Sequence, residues 1–205
     1  MKTETLPHTK SSFSPSTQER LLDAAARIFA RDGLQGATTR EIASDAGVNE
    51  VTLFRHFHSK ENLLGAVFRR VAAAYAEGLA DAEASTHDVH RDLLRCARRY
   101  HQLLEKNEAL IRTLIGEASR YPEHARGMIH EAIQPFRVKL IDYLEAGKAA
   151  GTIHPELAVS PAVDVFTGMF LAGMLRRKSQ CVAFDYSQED YLTTAVEVFV
   201  RGIRP

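Results

Sequence analysis

Tryptophan is absent from this chain of 205 residues, and its two cysteines, Cys96 and Cys181, lie far apart. So few thiols at such spacing exclude a disulfide framework and a C-x-x-C metal or redox motif. Long apolar runs are missing too: the most apolar stretch, Ala162 to Leu175, is too short to cross a bilayer and carries Asp164. Residues 1–15 lack the apolar central segment of a signal peptide, so a cytoplasmic, non-membrane protein is expected. Charge of one sign is also lacking, since 26 basic residues balance 26 acidic ones, and bulk electrostatics point to neither nucleic acid nor a lipid surface. Strand-like alternation and internal repeats do not occur, which leaves an all-α reading.

What the chain does have is helical periodicity, with helix-start signals concentrated from Thr38 to Leu64 (TTREIASDAGVNEVTLFRHFHSKENLL). Thr38 with Glu41 three residues on predicts a capping box, the hydroxyl accepting from a free backbone N–H while Glu41 reaches back. Ile42, Ala43 and Ala46 give that short helix an apolar stripe, and Gly47 supplies a left-handed stop. Asn49 is placed to cap a second short helix with Leu53 and Phe57 facing inward, and Ser59 to cap a third. Helix, tight glycine turn and helix is the helix-turn-helix plan, which presents its second helix to the DNA major groove. Charge adds no general support. From Ser16 to Leu64 six bases (Arg20, Arg27, Arg31, Arg40, Arg55, Lys60) meet seven acids (Glu19, Asp23, Asp32, Glu41, Asp45, Glu50, Glu61). Placement is the surviving signal, because Arg40, Arg55, His56, His58 and Lys60 crowd into the motif.

Residues 1–15 are polar and interrupted by Pro7 and Pro15, and read as a disordered arm. Residues 16–60 read as a three-helix domain whose first helix ends near Arg31, before Asp32-Gly33. Residues 61–205 read as a second helical domain, making about nine helices in all. Its spacing predicts helices over Glu61 to about Ala84, His87 to Lys106, Glu108 to Ser119 and Glu123 to Ala150, the last kinked or broken at Pro135. A further helix is expected from Pro161 to Ser179, capped by Ser160, and a last one from Gln188 to about Gly202. These two carry apolar residues around most of their circumference, among them Val165, Met169, Val196 and Val198, and Gly168 with Ala172 leaves a shallow strip. Either both are central in a monomer core, or helices 161–179 and 188–202 of two copies form a four-helix bundle. A two-fold protein suits a helix-turn-helix, so a homodimer is expected.

Thr38-x-x-Glu41-Ile42-Ala43, Ala46-Gly47-Val48, Thr52-Leu53-Phe54-x-His56-Phe57 and Ser59-Lys60-Glu61-x-Leu63-Leu64 together resemble the TetR family of transcriptional regulators. The resemblance is specific from about Thr17 to Leu64 and architectural beyond. It implies an all-α protein with an N-terminal three-helix DNA-binding domain and a C-terminal helical effector-binding and dimerisation domain. By position, Thr38, Thr39 and Lys60 would meet phosphates at helix starts, where N-termini favour anions. Arg40, Glu50, Val51 and Thr52 match positions that reach base edges, and His56 one that contacts the backbone; Arg55 completes the expected interface. Phe54 departs from the family's usual tyrosine and gives up a hydroxyl bond to phosphate. Val51 departs from a small residue or proline. The implied function is a repressor that binds palindromic double-stranded DNA as a homodimer and is released by a small, mainly hydrophobic effector. The effector wall is expected from Tyr75, Cys96, Tyr100, Leu104, Leu114, Met128, Ile129, Ile133, Phe136, Phe166 and Phe170, residues that a plain bundle core would need equally.

Each of these residues has an alternative. Arg40 suits the guanine O6/N7 fork; Glu50 suits a cytosine amino group, or else stabilises its own helix N-terminus. His87 and His90 have a spacing able to bind metal but no third ligand, so no metal site and no cofactor are expected. Cys96 on an apolar face fits a core residue better than a redox sensor. No nucleophile, base and orienting group can be named together, so an enzyme is not expected. The competing reading is a helical ligand-binding or interaction protein of the same fold that does not bind DNA.

Overall fold

The computed structural model describes residues 15–80, 88–120, 122–179 and 183–205; at 74–80, 123–126, 128–129 and 131–132 it describes the backbone alone. The expected arm over residues 1–15 lies outside them except for its last residue. Among the described residues the chain forms nine helices and no strand. They are α1 Thr17–Gly36, α2 Thr39–Asp45, α3 Glu50–Phe57, α4 Lys60–Ala80, α5 Val89–Lys106, α6 Glu108–Arg120, α7 Pro122–Ala149, α8 Val159–Lys178 and α9 Gln188–Ile203.

The caps explain most of the starts. Ser16 and Glu19 form a complete capping box, Asn49 Oδ1 accepts from Val51 N at 3.0 Å, and Ser59 Oγ accepts from Asn62 N at 3.1 Å. Only half of the expected box forms at α2. Thr38 accepts from Glu41 N at 3.1 Å, but the Glu41 carboxylate turns to the Arg31 guanidinium, at 2.5 Å, because a charged partner outbids a backbone amide. Gly47 ends the α2 turn at φ 65, as its position predicts.

Two boundaries differ from expectation. α1 does not stop at Asp32-Gly33: Gly33 (φ 68, ψ −177) kinks it, and a further turn follows because Leu34 is buried in the core. α8 begins at Val159 after Ala158, which makes no side-chain cap, so Ser160 and Pro161 fall inside the first turn. Burial of Val159 explains the earlier start, and Pro161 still costs nothing there, because first-turn N–H groups have no helical partner. α7 passes through Pro135 as one helix.

The buried side chains form two clusters. The N-terminal one gathers Leu21, Phe29, Ile42, Leu53, Leu63 and Leu64, all fully buried, from α1 to α4. Leu110 and Leu114 of α6 complete it, and Thr113 Oγ1 donates to the Phe29 carbonyl at 3.3 Å. The second gathers Leu93, Leu144, Ile153, Phe166, Phe170, Met174 and Val196 from α5 and α7 to α9. Phe166 is central, its ring 4.9 Å from that of Phe170 and 5.0 Å from that of Phe199.

α8 and α9 approach most closely at Gly173, not at the Gly168–Ala172 strip, which faces outward. A Cβ on Gly173 would lie 2.4 Å from Cε1 of Tyr191, whose hydroxyl donates to the Met169 carbonyl at 2.6 Å. Alanine gains about 1 kcal/mol in a helix over glycine, but displacing this ring costs more than that. Gly173→Ala is expected to destabilise the fold by about 1–2 kcal/mol net. Urea unfolding followed by circular dichroism measures it, and a midpoint at or above that of the parent would contradict the close approach.

Candidate nucleic-acid interface

α2 and α3 are held by their inner faces. Ile42, Leu53 and Phe57 are buried, which turns Val51, Phe54 and Arg55 outward at helical spacing on the opposite side of α3. Val51 is 74% exposed and Phe54 43%, large apolar side chains presented to solvent on a helix that has no need to show them. Arg40, Thr38 and His56 are exposed as well, while Thr39, Glu50, Thr52 and Lys60 are half-buried. Thr38 and Arg40 also line an open cleft of about 450 Å³ that runs between α1 and α2. His58, between α3 and α4, sits at φ 64, a conformation unusual for a residue with a side chain.

The ion pairs show where the counted charges are engaged, without changing their sum. Asp45 pairs with Arg27 at 2.6 Å, Asp32 and Glu41 with Arg31 at 2.5 Å each, and Asp23 with Arg70 of α4 at 2.8 Å. Four of the seven acids are thereby paired, by three arginines of which Arg27 and Arg31 belong to the same count. Hydrogen bonds from Arg31 hold the Asp32 carboxyl below its ordinary value, and the same contacts raise Arg31. Arg55 has no such acid among the described residues, and Arg40 meets only Glu50. The Glu50 carboxylate accepts from the Thr39 hydroxyl at 2.6 Å and lies 3.9 Å from Arg40 Nε. Lys60 Nζ donates to the Ala37 carbonyl at 3.0 Å, which pins the start of α4 to the turn before α2 and leaves two of its N–H groups for another acceptor.

The residues expected to line an effector cavity are not gathered on one surface. Leu104, Phe136, Phe166 and Phe170 are buried in the C-terminal core, with Cys96 and Tyr100 partly buried against it. Tyr100 stacks on Phe136 with ring centroids 4.7 Å apart. Burial pushes both the Cys96 thiol and the Tyr100 phenol up to about 12, which keeps the thiol protonated and unreactive. Leu114 belongs instead to the N-terminal cluster, because the α6 stripe it shares with Leu110 packs on α1. Ile133 is 48% exposed and lines nothing internal. Tyr75, Met128 and Ile129 lie outside the described side chains.

Among the described residues Asp92, His101 and Glu117 are buried, and the first two escaped the sequence reading. Asp92 accepts from Arg95 at 3.0 Å and from the Tyr143 hydroxyl at 3.3 Å. His101 Nδ1 lies 3.2 Å from Gln188 Nε2, and burial holds the ring below its ordinary value, Glu105 opposing. The signal was present, since Leu93, Ala97, His101 and Leu104 share one stripe of α5. Of the histidine pair weighed for a metal, His87 lies outside the described residues, and His90 Nε2 stands 3.6 Å from Glu197. Val165, Gly168 and Ala172 of α8 and Thr194, Val198 and Gly202 of α9 are exposed, uncharged residues at helical spacing on each helix.

Residues 21–67 match the model of bacterial regulatory proteins of the tetR family, and residues 83–183 that of the tetracyclin repressor-like C-terminal domain. The HTH-type transcriptional repressor AcnR of Corynebacterium efficiens is 31% identical over 164 residues, covering 77% of this chain and 84% of its own. The chain belongs to the TetR family. Another TetR-type relative is the uncharacterised HTH-type transcriptional regulator YvkB of Bacillus subtilis, 28% identical over 188 residues, 91% of this chain and 97% of its own. The solved structure of the transcriptional regulator FadR from Bacillus subtilis in complex with stearoyl-CoA shares the fold, with TM-score 0.72, 20% identity, and coverage of 90% of this chain and 98% of that one. The helix-turn-helix and helical C-terminal region of this TetR-family regulator therefore have the architecture its motifs imply, and transcriptional regulation is its function.

Proposed function

We propose that the protein is a homodimeric repressor that binds a palindromic operator and is released by a small, mainly hydrophobic effector, acting in the cytoplasm where the DNA is. The observation that carries this reading is the outward face of α2 and α3. Arg40, with 89% of its side-chain surface exposed, stands beside exposed Val51 and Phe54, while Ile42, Leu53 and Phe57 anchor both helices from behind. Arg40 and Thr52 read base edges; Thr38, Arg55, His56 and Lys60 meet the backbone, as does Thr39 through its main-chain N–H, its hydroxyl being given to Glu50. Phe54 contributes apolar contact without a phosphate bond. The uncharged stripes of α8 and α9 supply the dimer interface, which sets two reading helices about one DNA turn, roughly 34 Å, apart.

Release follows from a population shift. Leu63 and Leu64 bury the first turns of α4 in the N-terminal core, and Leu110 and Leu114 do the same for α6. An effector seated between the C-terminal helices that displaces α4 or α6 moves the reading helices with it. The effector must bind the non-fitting state more tightly than the fitting one. Support for a hydrophobic effector comes from the apolar and aromatic C-terminal core, and from a fold neighbour solved with stearoyl-CoA.

Selection of bound sequences from random duplex DNA tests the reading. A palindromic motif is expected, and an absence of enrichment at low salt would end it. On the selected site, Lys60→Ala is expected to weaken binding to all sequences alike and to reduce the salt slope by about one. A changed base preference with the slope intact would reassign Lys60.

A further inference from the structure

Glu50 opens α3 with both carboxylate oxygens turned toward α2. Oε1 accepts from the Thr39 hydroxyl at 2.6 Å, and Oε2 lies 3.9 Å from Arg40 Nε. An acid on a reading helix meets phosphates of its own sign, so an unpaired carboxylate there opposes binding. This one is held by a hydroxyl, faces a guanidinium at 3.9 Å, beyond hydrogen-bond distance, and has 33% of its side-chain surface left open, against 89% for Arg40. Its acceptor oxygens are thereby directed at α2, with one of them taken by Thr39.

Its effect on Arg40 is specific. The Glu50 carboxylate lies on the Nε edge of the guanidinium at 3.9 Å, an ion pair that biases Arg40 toward α3, and among the described residues no hydrogen bond occupies its terminal amino groups, the prongs of a guanine O6/N7 fork. Arginine has several rotatable bonds, and restricting them before the DNA arrives removes part of the ordering cost of binding. We propose that Glu50 is a positioning residue for Arg40 and not itself a reader of bases, its bond to Thr39 holding the carboxylate in place for that task. The inference rests on the DNA-binding reading above.

Wild-type protein is first used to select its site from random duplex DNA. Arg40→Ala, Glu50→Ala, Glu50→Gln and the Arg40→Ala/Glu50→Ala double variant are then measured against a panel of that site with each base pair changed singly. Glu50→Ala is expected to lose about tenfold in discrimination at the base pair that Arg40→Ala relaxes, and at no other. The double variant should discriminate there no worse than Arg40→Ala alone, because both changes remove one coupled interaction. Glu50→Gln keeps an acceptor for Thr39 but not the charge, so it should fold as the parent does and lose preference at the same base pair; it decides the matter if Glu50→Ala melts early. Relaxation at a different base pair, additive with Arg40→Ala, would make Glu50 a reader and overturn the inference while the operator reading stands. Uniform weakening with base preference intact would make Glu50 merely structural and overturn it as well. Failure of the wild-type protein to enrich any sequence would overturn both.

Discussion

Val165→Asp together with Val198→Asp is expected to convert the proposed dimer to a monomer and to lower its affinity for the selected operator by more than about a hundredfold, the range expected when two linked half-sites become independent. Val165 is 57% exposed and Val198 61% in the single chain, so neither change disturbs its core. Each sits on a stripe otherwise made of Gly168, Ala172, Thr194 and Gly202, and the charge nearest to Val198 in sequence beyond Glu197, Arg201, is already paired with Glu197 at 2.6 Å. Burying four unpaired carboxylates at a two-fold interface costs several kcal/mol, more than a standard interface of small side chains returns. Sedimentation gives the oligomeric state and electrophoretic mobility shift the affinity, with circular dichroism to check that the helices remain. A double variant that stays dimeric would remove these stripes from the interface.

Phe166→Ala is expected to destabilise the protein by about 3–5 kcal/mol, the largest loss from any single truncation considered. The side chain is fully buried, and its ring touches those of Phe170 and Phe199, so no rearrangement of one neighbour can fill the space left behind. Guanidinium unfolding watched by circular dichroism reports the loss. Because Phe166 and the α1–α3 residues belong to different clusters, a partly unfolded protein that retains N-terminal helix is the expected intermediate. A loss under about 1 kcal/mol would mean that the core closes around the gap, contrary to the packing seen.

The reading half of the molecule was legible because short-range rules decide it. Thr38, Asn49 and Ser59 cap their helices through neighbours two or three residues away, and Gly47 supplies the positive φ that no other residue there would adopt as cheaply. Where a long-range partner competes, the same rules fail. Glu41 leaves its box for Arg31, ten residues back, and buried Leu34 carries α1 past a glycine that would otherwise end it. Leu114 and Ile133 were misplaced for a related reason. A stripe of apolar residues says that a helix packs, not against which neighbour, and α6 turns its stripe to α1 rather than to the C-terminal core. The charge balance was uninformative for a different reason, since composition does not say which acids and bases pair with one another and which, such as Arg55, are left outward.

Leu110 and Leu114, contributed by α6 to the N-terminal cluster, bear on how such regulators can be recombined. A chimera joined at residue 60 would carry the reading helices away from the two leucines that cover Phe29 and its neighbours, and would expose the apolar underside of α1. A graft that transfers DNA specificity to another scaffold must bring α4 and α6 along, or rebuild a matching pair of leucines in the recipient.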